Sequence, residues 1–182
     1  MTFKLLLSLL VLLLSHTVFS ANYIIDTEVS KLKWHLFVSS STDVYGEIPV
    51  SGNLNTESGD GKLIFSLNET KSYEINQHQK DYNTTRDSRI YDITGATKNA
   101  PIFKIIKING NKIVGNLNLN GQTKKVEIDA KLVKDGRFLK LKAKYKLDWA
   151  DYGIGNPVVW IMRVAKTADQ FVNLDFDLTA KQ

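Results

Sequence analysis

Residues 112–149 read KIVGNLNLNGQTKKVEIDAKLVKDGRFLKLKAKYKLDW, and this stretch decides the fold. It contains three runs in which apolar and polar residues alternate, joined by Asn120-Gly121 and Asp135-Gly136. Strict alternation places one side of a β-strand in a core and the other side in water. Asn-Gly and Asp-Gly provide the positive φ angles of a two-residue hairpin turn. The stretch therefore predicts a meander of three antiparallel strands.

The two turns also predict how the strands pair. A turn centred on Asn120-Gly121 gives the pairs Gly115–Val126, Ile113–Ile128 and Lys112–Asp129. A turn centred on Asp135-Gly136 gives the pairs Leu132–Leu139, Ala130–Leu141, Ile128–Ala143, Val126–Tyr145, Asp129–Lys142 and Glu127–Lys144. In both registers apolar pairs share one face and opposite charges meet on the other. Since a one-residue slip would reverse every side chain, this agreement supports one curved sheet.

The rest of the chain continues the β pattern. Alternation marks strands at residues 23–26, 31–38, 44–54, 63–67 and 172–178, and a further strand at 102–108 has no settled facing. Residues 70–100 are polar and irregular, with one short helix predicted near 87–93. A second helical segment is predicted at 156–165, with Asn156 as the N-cap and Pro157 in the first position.

About eight antiparallel strands and one or two short helical segments predict an all-β protein. Closure into a barrel is favoured because it removes exposed sheet edges. A sandwich of two sheets is the alternative. A barrel of eight strands encloses either a solid core or one small ligand, as in lipocalins.

The N-terminus carries a predicted export signal. Residues 1–4 include Lys4, residues 5–14 are almost entirely apolar, and Val18-Phe19-Ser20 precedes Ala21 like a signal-peptidase site. The apolar run is about half of the roughly 20 residues that a membrane-spanning helix needs. We therefore predict a signal peptide at residues 1–20 and one domain at residues 21–182. The chain has no cysteine, so neither a lipid anchor on a cysteine nor a disulfide is expected.

The sequence carries little that resembles catalytic chemistry. His35 and His78 are the histidines beyond the signal, and no acidic cluster has the spacing of metal ligands. His35 falls on the polar side of its strand, which indicates a surface residue. Asp148 and Asp151 flank Trp149, but carboxylates at a strand end are usually turn formers. We predict no enzyme activity, no metal and no cofactor.

The basic residues are spread along the chain, with one exception. Without Lys4, 23 basic residues face 19 acidic ones, a net charge of +4. Lys140, Lys142, Lys144 and Lys146 form a stripe on the outer face of one strand. We interpret the stripe as a solvated face, with transient contact to an anionic membrane as the functional alternative. Nucleic acid is not expected as a partner, because no aromatic ladder is interleaved with the lysines.

The predicted inward face is apolar along its whole length. Composition alone does not distinguish a solid core from a cavity that binds an apolar chain ligand. Each methylene that such a ligand buries contributes about 0.8 kcal/mol. The candidate barrel-lining, ligand-binding residues are Trp34, Phe65, Phe103, Leu117, Leu119, Ile128, Leu141, Tyr145, Trp149, Trp160, Leu174 and Phe176.

Several motifs, in order along residues 21–182, resemble the YceI-like family. They are Tyr23-Ile24-Ile25-Asp26, Ser30-Lys31-Leu32-Lys33-Trp34, residues 115–124 (GNLNLNGQTK), residues 149–154 (WADYGI) and Leu178-Thr179-Ala180-Lys181, with Arg86-Asp87 near the family's helical segment. The chain differs from the family pattern at Asn118, at residues 91–94 (YDIT) and at Arg89, where a histidine is frequent.

The resemblance implies a lipocalin-like barrel in the periplasm that holds a polyisoprenoid or quinone-like lipid, with no catalytic residues. The predicted function is therefore an exported lipid-binding protein for carriage, sequestration or envelope stress. The alternative is a structural barrel that docks on a protein or an anionic membrane and has no internal ligand.

Overall fold

A computed structural model describes residues 22–38, 42–76, 79–155, 158–161 and 164–182. The predicted signal peptide, His78, Asn156 and Pro157 lie outside these ranges. The strands are β1 (Asn22–Ile25), β2 (Lys31–Val38), β3 (Thr42–Asn55), β4 (Gly61–Phe65), β5 (Lys71–Asn76), β6 (Gln79–Tyr82), β7 (Ile102–Asn109), β8 (Lys112–Leu119), β9 (Gln122–Asp135), β10 (Phe138–Asp148), β11 (Val158–Ile161) and β12 (Val164–Lys181). Helix α1 spans Thr84–Ile93, and two 3₁₀ turns span Leu67–Glu69 and Ala150–Tyr152. In the ranges given above, neither α1 nor any other helix has the length and apolar character needed to cross a membrane.

Eight of the strands close into an antiparallel barrel, as predicted. Going round the wall, β12 pairs with β10, and β9, β8, β7, β4, β3 and β2 follow in that order. The ring closes because β2 also pairs with β12, with Trp34 opposite Leu174. This closure excludes the two-sheet sandwich. The short strand β1 bridges β3 and β12 at one end of the barrel.

The hairpin between β8 and β9 has the predicted register. Gly115 pairs with Val126, Ile113 with Ile128, and Leu119 with Gln122 next to the turn. Asn120 and Gly121 have φ angles of 51° and 74°, as a type I′ turn requires. Here the local sequence alone determines the pairing.

The register predicted for β9 and β10 is wrong by two residues. Leu132 pairs with Leu141 instead of Leu139, and Asp129 meets Lys144. The central turn residues are Gly136, with φ 58°, and Arg137. Glycine therefore occupies the first central position, as in a type II′ turn, and not the second. A two-residue shift preserves facing, so the inward set was still predicted correctly.

The helix predicted at 156–165 is also wrong. Residues 158–161 form β11, which pairs with the start of β12. The run contains Val158, Val159 and Ile161, and β-branched side chains favour strands over helices. Helix α1 does exist and begins three residues earlier than predicted, at Thr84.

The sequence pattern missed the hairpin of β5 and β6. Strand β5 extends the sheet beyond β3, with Ser72 opposite Gly46. Its inward residues Ser72 and Glu74 are polar, yet both are buried. Because the expected apolar alternation is absent, the strand was interpreted as irregular chain.

The interior has two parts, which we name by what fills them. The packed half lies toward β1, where the side chains are buried in one cluster and do not border the cavity described below: Tyr23, Ile25, Val50, Leu54, Leu63, Ile105, Ile113, Leu139, Leu141, Leu178 and Ala180. The cavity half lies toward α1, which covers that end of the barrel.

Candidate functional site: an apolar cavity beneath the helix

The cavity half contains a partly open space of about 80 Å³ to which no polar atom is exposed. Its wall is formed by side chains from β2, β3, β4, β7–β10 and β12, from α1 and the segments flanking it, from the first 3₁₀ turn (Leu67) and from the residue after β10 (Trp149). The lining residues are Leu32, Trp34, Leu36, Ile48, Phe65, Leu67, Ile90, Ile93, Thr94, Pro101, Phe103, Leu117, Leu119, Ile128, Tyr145, Leu147, Trp149, Val172, Leu174 and Phe176. The Thr94 hydroxyl donates to the Ile90 carbonyl oxygen at 2.7 Å, which leaves the wall apolar. Such a cavity excludes polar ligands, since a buried polar group without a partner is costly.

Ten of the twelve candidate ligand-binding residues line this cavity: Trp34, Phe65, Phe103, Leu117, Leu119, Ile128, Tyr145, Trp149, Leu174 and Phe176. Leu141 faces inward as predicted but belongs to the packed half, so it is not part of the cavity wall. Trp160 lies in β11, whose side chains are outside the description. That the ten residues bind a ligand remains a prediction.

The remaining lining residues were absent from the candidate set for two reasons. Leu32, Leu36 and Ile48 have the inward alternation, so the pattern could have found them. Ile90 and Ile93 come from α1, and Pro101 from the segment after it. These residues lie in a polar stretch without regular apolar spacing. Only the tertiary fold shows that they lie over the barrel.

Two inward glycines are covered by aromatic rings. A Cβ on Gly46 would overlap the indole of Trp34, and one on Gly115 would overlap the ring of Phe103. The room that these glycines leave beside the backbone is therefore taken by the protein's own side chains. Trp34 and Phe103 also border the cavity, so each glycine sets how far its ring withdraws from the space.

A buried ion pair ties α1 to the barrel. The guanidinium of Arg86 donates from Nη1 to Glu74 Oε1 at 2.5 Å and from Nε to Ser72 Oγ at 2.8 Å. Arg86 is 1% exposed and Glu74 7%. Because two charges withdrawn from water need each other, this pair fixes the first turn of the helix against the inward face of β5.

Further hydrogen bonds hold α1 at both ends. At its start Asn83 Oδ1 accepts from the Arg86 backbone at 3.0 Å as the N-cap, and Asp87 Oδ1 accepts from the Ser72 backbone at 2.7 Å. At its end the Asn120 backbone, in the β8–β9 turn, donates to the Thr94 carbonyl at 3.1 Å. The helix is thus attached to β5 on one side and to a hairpin turn on the other.

Aromatic donors cluster where β10 meets the following 3₁₀ turn. Tyr145 and Trp149 line the cavity, and Tyr152 is 1% exposed. Burial, followed by Asp151 and Asp148, raises the pKa of Tyr145 above its ordinary value. Burial, followed by Tyr145 and Asp151, raises the pKa of Tyr152 well above its ordinary value. Both phenols therefore remain neutral donors at physiological pH.

The outer face carries the predicted lysine stripe, and its charges have neighbours. Lys140 lies 3.3 Å from Asp135, Lys142 3.8 Å from Asp177, and Lys146 lies over the ring of Phe171. Lys144 pairs in register with Asp129 and Asp175. The stripe is thus partly neutralised, by acidic neighbours at three of its four lysines.

No constellation for catalysis or metal binding lies among the residues that the structure describes. In this part of the chain there is no group of three or more His, Asp or Glu side chains placed to hold a metal ion. His35 stacks on Tyr45, with ring centroids 4.6 Å apart, on the outer face. Asp148 accepts from the Ala150 backbone at 2.8 Å and so acts as a turn former.

The closed barrel, the helix that covers one end and the apolar cavity beneath that helix together define a lipocalin-like binding protein. The sequence matches the YceI-like domain over residues 23–180. The chain therefore belongs to the YceI-like family. No curated protein matches the sequence.

Solved structures share this fold at low sequence identity. A polyisoprenoid binding domain from Saccharophagus degradans, implicated in plant cell wall breakdown, superposes with a TM-score of 0.68 at 15% identity, covering 89% of this chain and 98% of that one. Burkholderia cenocepacia BcnA gives 0.59 at 13% identity, covering 86% and 99%. A mutant CJ YCEI protein made for nanotechnology applications gives 0.52 at 16%, covering 74% and 81%.

Proposed function

We propose that this protein is exported to the periplasm and holds an apolar chain lipid, such as a polyisoprenoid or quinone-like lipid, inside the barrel. The observation that carries the proposal is a partly open apolar cavity whose wall exposes no polar atom. The polyisoprenoid-binding domain among the similar structures supports the same ligand class. Export rests on the predicted signal peptide at residues 1–20. Carriage, sequestration and a role in envelope stress are the physiological uses that such binding would serve.

Ligand size limits how binding proceeds. The cavity of about 80 Å³ is smaller than the roughly 150 Å³ that accommodates one benzene ring in an engineered protein. A long chain therefore requires the cavity to widen. Each strand of the wall is paired with a neighbour on both sides, whereas α1 meets the cavity through Ile90 and Ile93. We expect α1 to be the wall that moves.

Energetics allow useful affinity once the cavity widens. Each buried methylene contributes about 0.8 kcal/mol. Micromolar binding corresponds to about 8 kcal/mol, so about fifteen or more buried methylenes are needed once an ordering cost of at least about 4 kcal/mol is included. Specificity then depends on the length and shape of the chain, because the wall offers no polar contacts.

The test is to purify the protein from a periplasmic extract, extract it with organic solvent and analyse the extract by mass spectrometry. We expect a stoichiometric isoprenoid or acyl-chain lipid. Leu117→Trp places an indole in the cavity and should abolish lipid recovery while the protein stays folded. Leu141→Trp, in the packed half, should instead destabilise the protein by about 1–3 kcal/mol through overpacking. Repeated recovery of lipid-free protein, with no uptake of added lipid, would overturn the proposal.

The competing function, docking on a partner through the lysine stripe, has weaker support. Three of the four lysines have acidic residues beside them, whereas Lys146 lies over the Phe171 ring and keeps its full charge, so the positive charge free for an anionic surface is reduced. It remains a prediction, and charge reversal at Lys142 and Lys144 separates it from lipid binding, since a lipid carrier keeps its ligand.

A further inference from the structure

The ladder between β9 and β10 ends before either strand does. Its last pair is Asp129–Lys144, whereas β9 goes on pairing with β8, and β10 with β12. Residues 122–128 of β9 and 145–148 of β10 therefore have a strand partner on one side only. Because an antiparallel strand directs alternate N–H and C=O groups to each neighbour, backbone groups on both sides of this gap have no ladder partner. We call the line between the two segments the seam.

The seam lies in the wall of the cavity. Ile128 on its β9 side and Tyr145 and Leu147 on its β10 side all line the cavity. Ile128 and Leu147 are each 4% exposed, and Tyr145 is half-buried. Side chains thus cover the wall where strand pairing does not hold it. Opening the wall along a ladder breaks backbone hydrogen bonds, whereas at the seam only side chains need to move.

Solvent reaches the inward face of β9 beside the seam. Lys124 pairs with Leu117, a cavity residue, and so belongs to the inward face of its strand. Lys124 is nevertheless exposed, whereas Val126 and Ile128 on the same face are buried. A lysine on an inward face keeps its charge only where water or an opposite charge reaches it. The change from buried to exposed residues therefore marks where the cavity wall gives way to solvent.

One residue connects the far end of the seam to α1. Asn120 Nδ2 donates to the Tyr152 carbonyl oxygen, across the seam, at 3.1 Å. The Asn120 backbone donates to the Thr94 carbonyl oxygen at the end of α1, also at 3.1 Å. The 3₁₀ turn that contains Tyr152 contacts β9 as well. The seam is thus closed at one end by strand pairing and at the other by a side-chain hydrogen bond from a residue that also holds the helix.

We propose that the seam between β9 and β10 is the passage through which the apolar chain enters and leaves the cavity. The inference rests on the proposed lipid-binding function and adds the route that the ligand takes. The chain passes sideways between Ile128 and Tyr145, where side chains rotate and no strand pairing is broken. Displacement of α1 then gives the chain room. Asn120 links the two movements because it bonds to both the helix and the turn at the seam.

The first test bridges the seam with a chemical cross-link. The chain has no cysteine, so Glu127→Cys with Lys146→Cys places a single thiol on each side, at positions whose native side chains are exposed. A short bismaleimide joins the two thiols, and N-ethylmaleimide caps them in the reference sample. Mass spectrometry confirms the bridge. Uptake and release of all-trans-retinol, an isoprenoid alcohol, are followed by stopped-flow fluorescence.

The bridge should slow both uptake and release about tenfold or more. The dissociation constant should change little, because a passage affects the two rates equally and is not part of the bound state. Lys125→Cys with Lys146→Cys gives a second bridge over the same seam. The matched control is Lys131→Cys with Lys142→Cys, an exposed pair within the β9–β10 ladder. Its bridge should leave both rates unchanged.

A second test moves the rates in the opposite direction. Asn120→Gly tolerates the positive φ of 51° at this position and keeps the backbone bond to α1, but it removes the side-chain bond to Tyr152. Uptake and release should both become about two- to tenfold faster, the value of one hydrogen bond. Asn118→Ala is the control, because that side-chain amide donates to Thr123 Oγ1 at 2.8 Å within the hairpin and not across the seam.

The outcomes separate this assignment from the proposed function. If bridged and capped samples take up retinol at the same rate, or if the control bridge slows uptake equally, the passage lies elsewhere and the lipid-binding function stands. A seam bridge that weakens affinity without slowing uptake also overturns the assignment, because the seam then shapes the bound state. If Asn120→Gly and Asn118→Ala have the same effect, Asn120 does not hold the passage closed. If the wild-type protein takes up no retinol, the lipid-binding function itself fails.

Discussion

The two halves of the barrel obey the same sequence pattern and end with different interiors. In the packed half the inward residues fill the space, and β1 covers the end through the fully buried Tyr23. In the cavity half the inward residues are at least as large and include Trp34, Phe103 and Trp149, yet a cavity remains. The comparison teaches that alternation determines which side chains face inward, whereas the cover at each end determines whether they meet.

The two covers differ in chemistry. Strand β1 hydrogen-bonds to β3 and β12 and continues the wall. Helix α1 is held chiefly by polar groups, with Arg86 and Glu74 at the centre of the contact with β5. Only Ile90 and Ile93 of α1 reach the cavity. A cover fixed by polar contacts at its edges leaves space beneath it, and few of its apolar side chains would be exposed if it moved away from the barrel.

The largest expected loss of stability comes from breaking the polar contacts that attach α1 to the cavity half. Arg86→Ala leaves Glu74 buried without its partner and should lower the free energy of unfolding by about 3–5 kcal/mol. Urea unfolding measures the change. The double variant Glu74→Leu with Arg86→Met is the control, since replacing a buried pair with apolar side chains is commonly neutral or stabilising. A loss below about 1 kcal/mol for Arg86→Ala would show that α1 does not depend on this pair.

A smaller effect distinguishes the two inward glycines. A Cβ on Gly115 meets the Lys104 carbonyl oxygen at 2.6 Å as well as the ring of Phe103, and a backbone atom cannot move aside. Gly115→Ala should therefore cost about 1–3 kcal/mol of stability. A Cβ on Gly46 meets only the Trp34 indole among its nearest atoms, and Trp34 borders the cavity into which it can turn.

Gly46→Ala should accordingly cost less stability than Gly115→Ala and should reduce lipid uptake, because the displaced indole occupies the cavity. Thermal unfolding and lipid titration of both variants measure the two effects. Equal losses of stability, with lipid uptake unchanged in Gly46→Ala, would show that the space beside Trp34 is not available to the ring.

Much of the wall could be predicted from the sequence because its signals are local. The β8–β9 hairpin needs only Asn120-Gly121 and the alternation around it, and its register was confirmed. The β9–β10 register depended on which turn type Gly136 adopts, a choice that sequence alone leaves open, and the prediction was off by two residues. The bulge between Ile105 and Lys107 explains why the facing of β7 could not be settled.

The site was less accessible to prediction because its cover is not periodic. Ser72, Glu74 and Arg86 are buried polar residues whose partners come from different elements. Their burial depends on a tertiary contact between β5 and α1. Neither segment has an apolar pattern from which that contact could be predicted. The unpaired donors of Trp149 and Tyr152 are likewise visible only once side chains are placed.

The smallest expected effect is a pH dependence of stability that arises from two buried tyrosines beside the cavity. Tyr145 and Tyr152 have raised pKa values in the folded protein, chiefly because burial disfavours the phenolate. An unfolded tyrosine ionises near pH 10. The stability that the neutral phenols contribute is therefore complete below about pH 10 and is lost as pH rises from there through their folded pKa values.

Urea unfolding at pH 9 and pH 11 tests this dependence. Lysines also titrate in this interval, so the informative quantity is the difference between wild type and Tyr152→Phe. Wild type should lose about 1 kcal/mol more than the variant between the two pH values, since one pH unit above the unfolded pKa corresponds to about 1.4 kcal/mol. Identical profiles would mean that the Tyr152 hydroxyl reaches water or an acceptor in solution. This measurement therefore decides whether the Tyr152 hydroxyl is buried without a partner in solution, as it is in the structure.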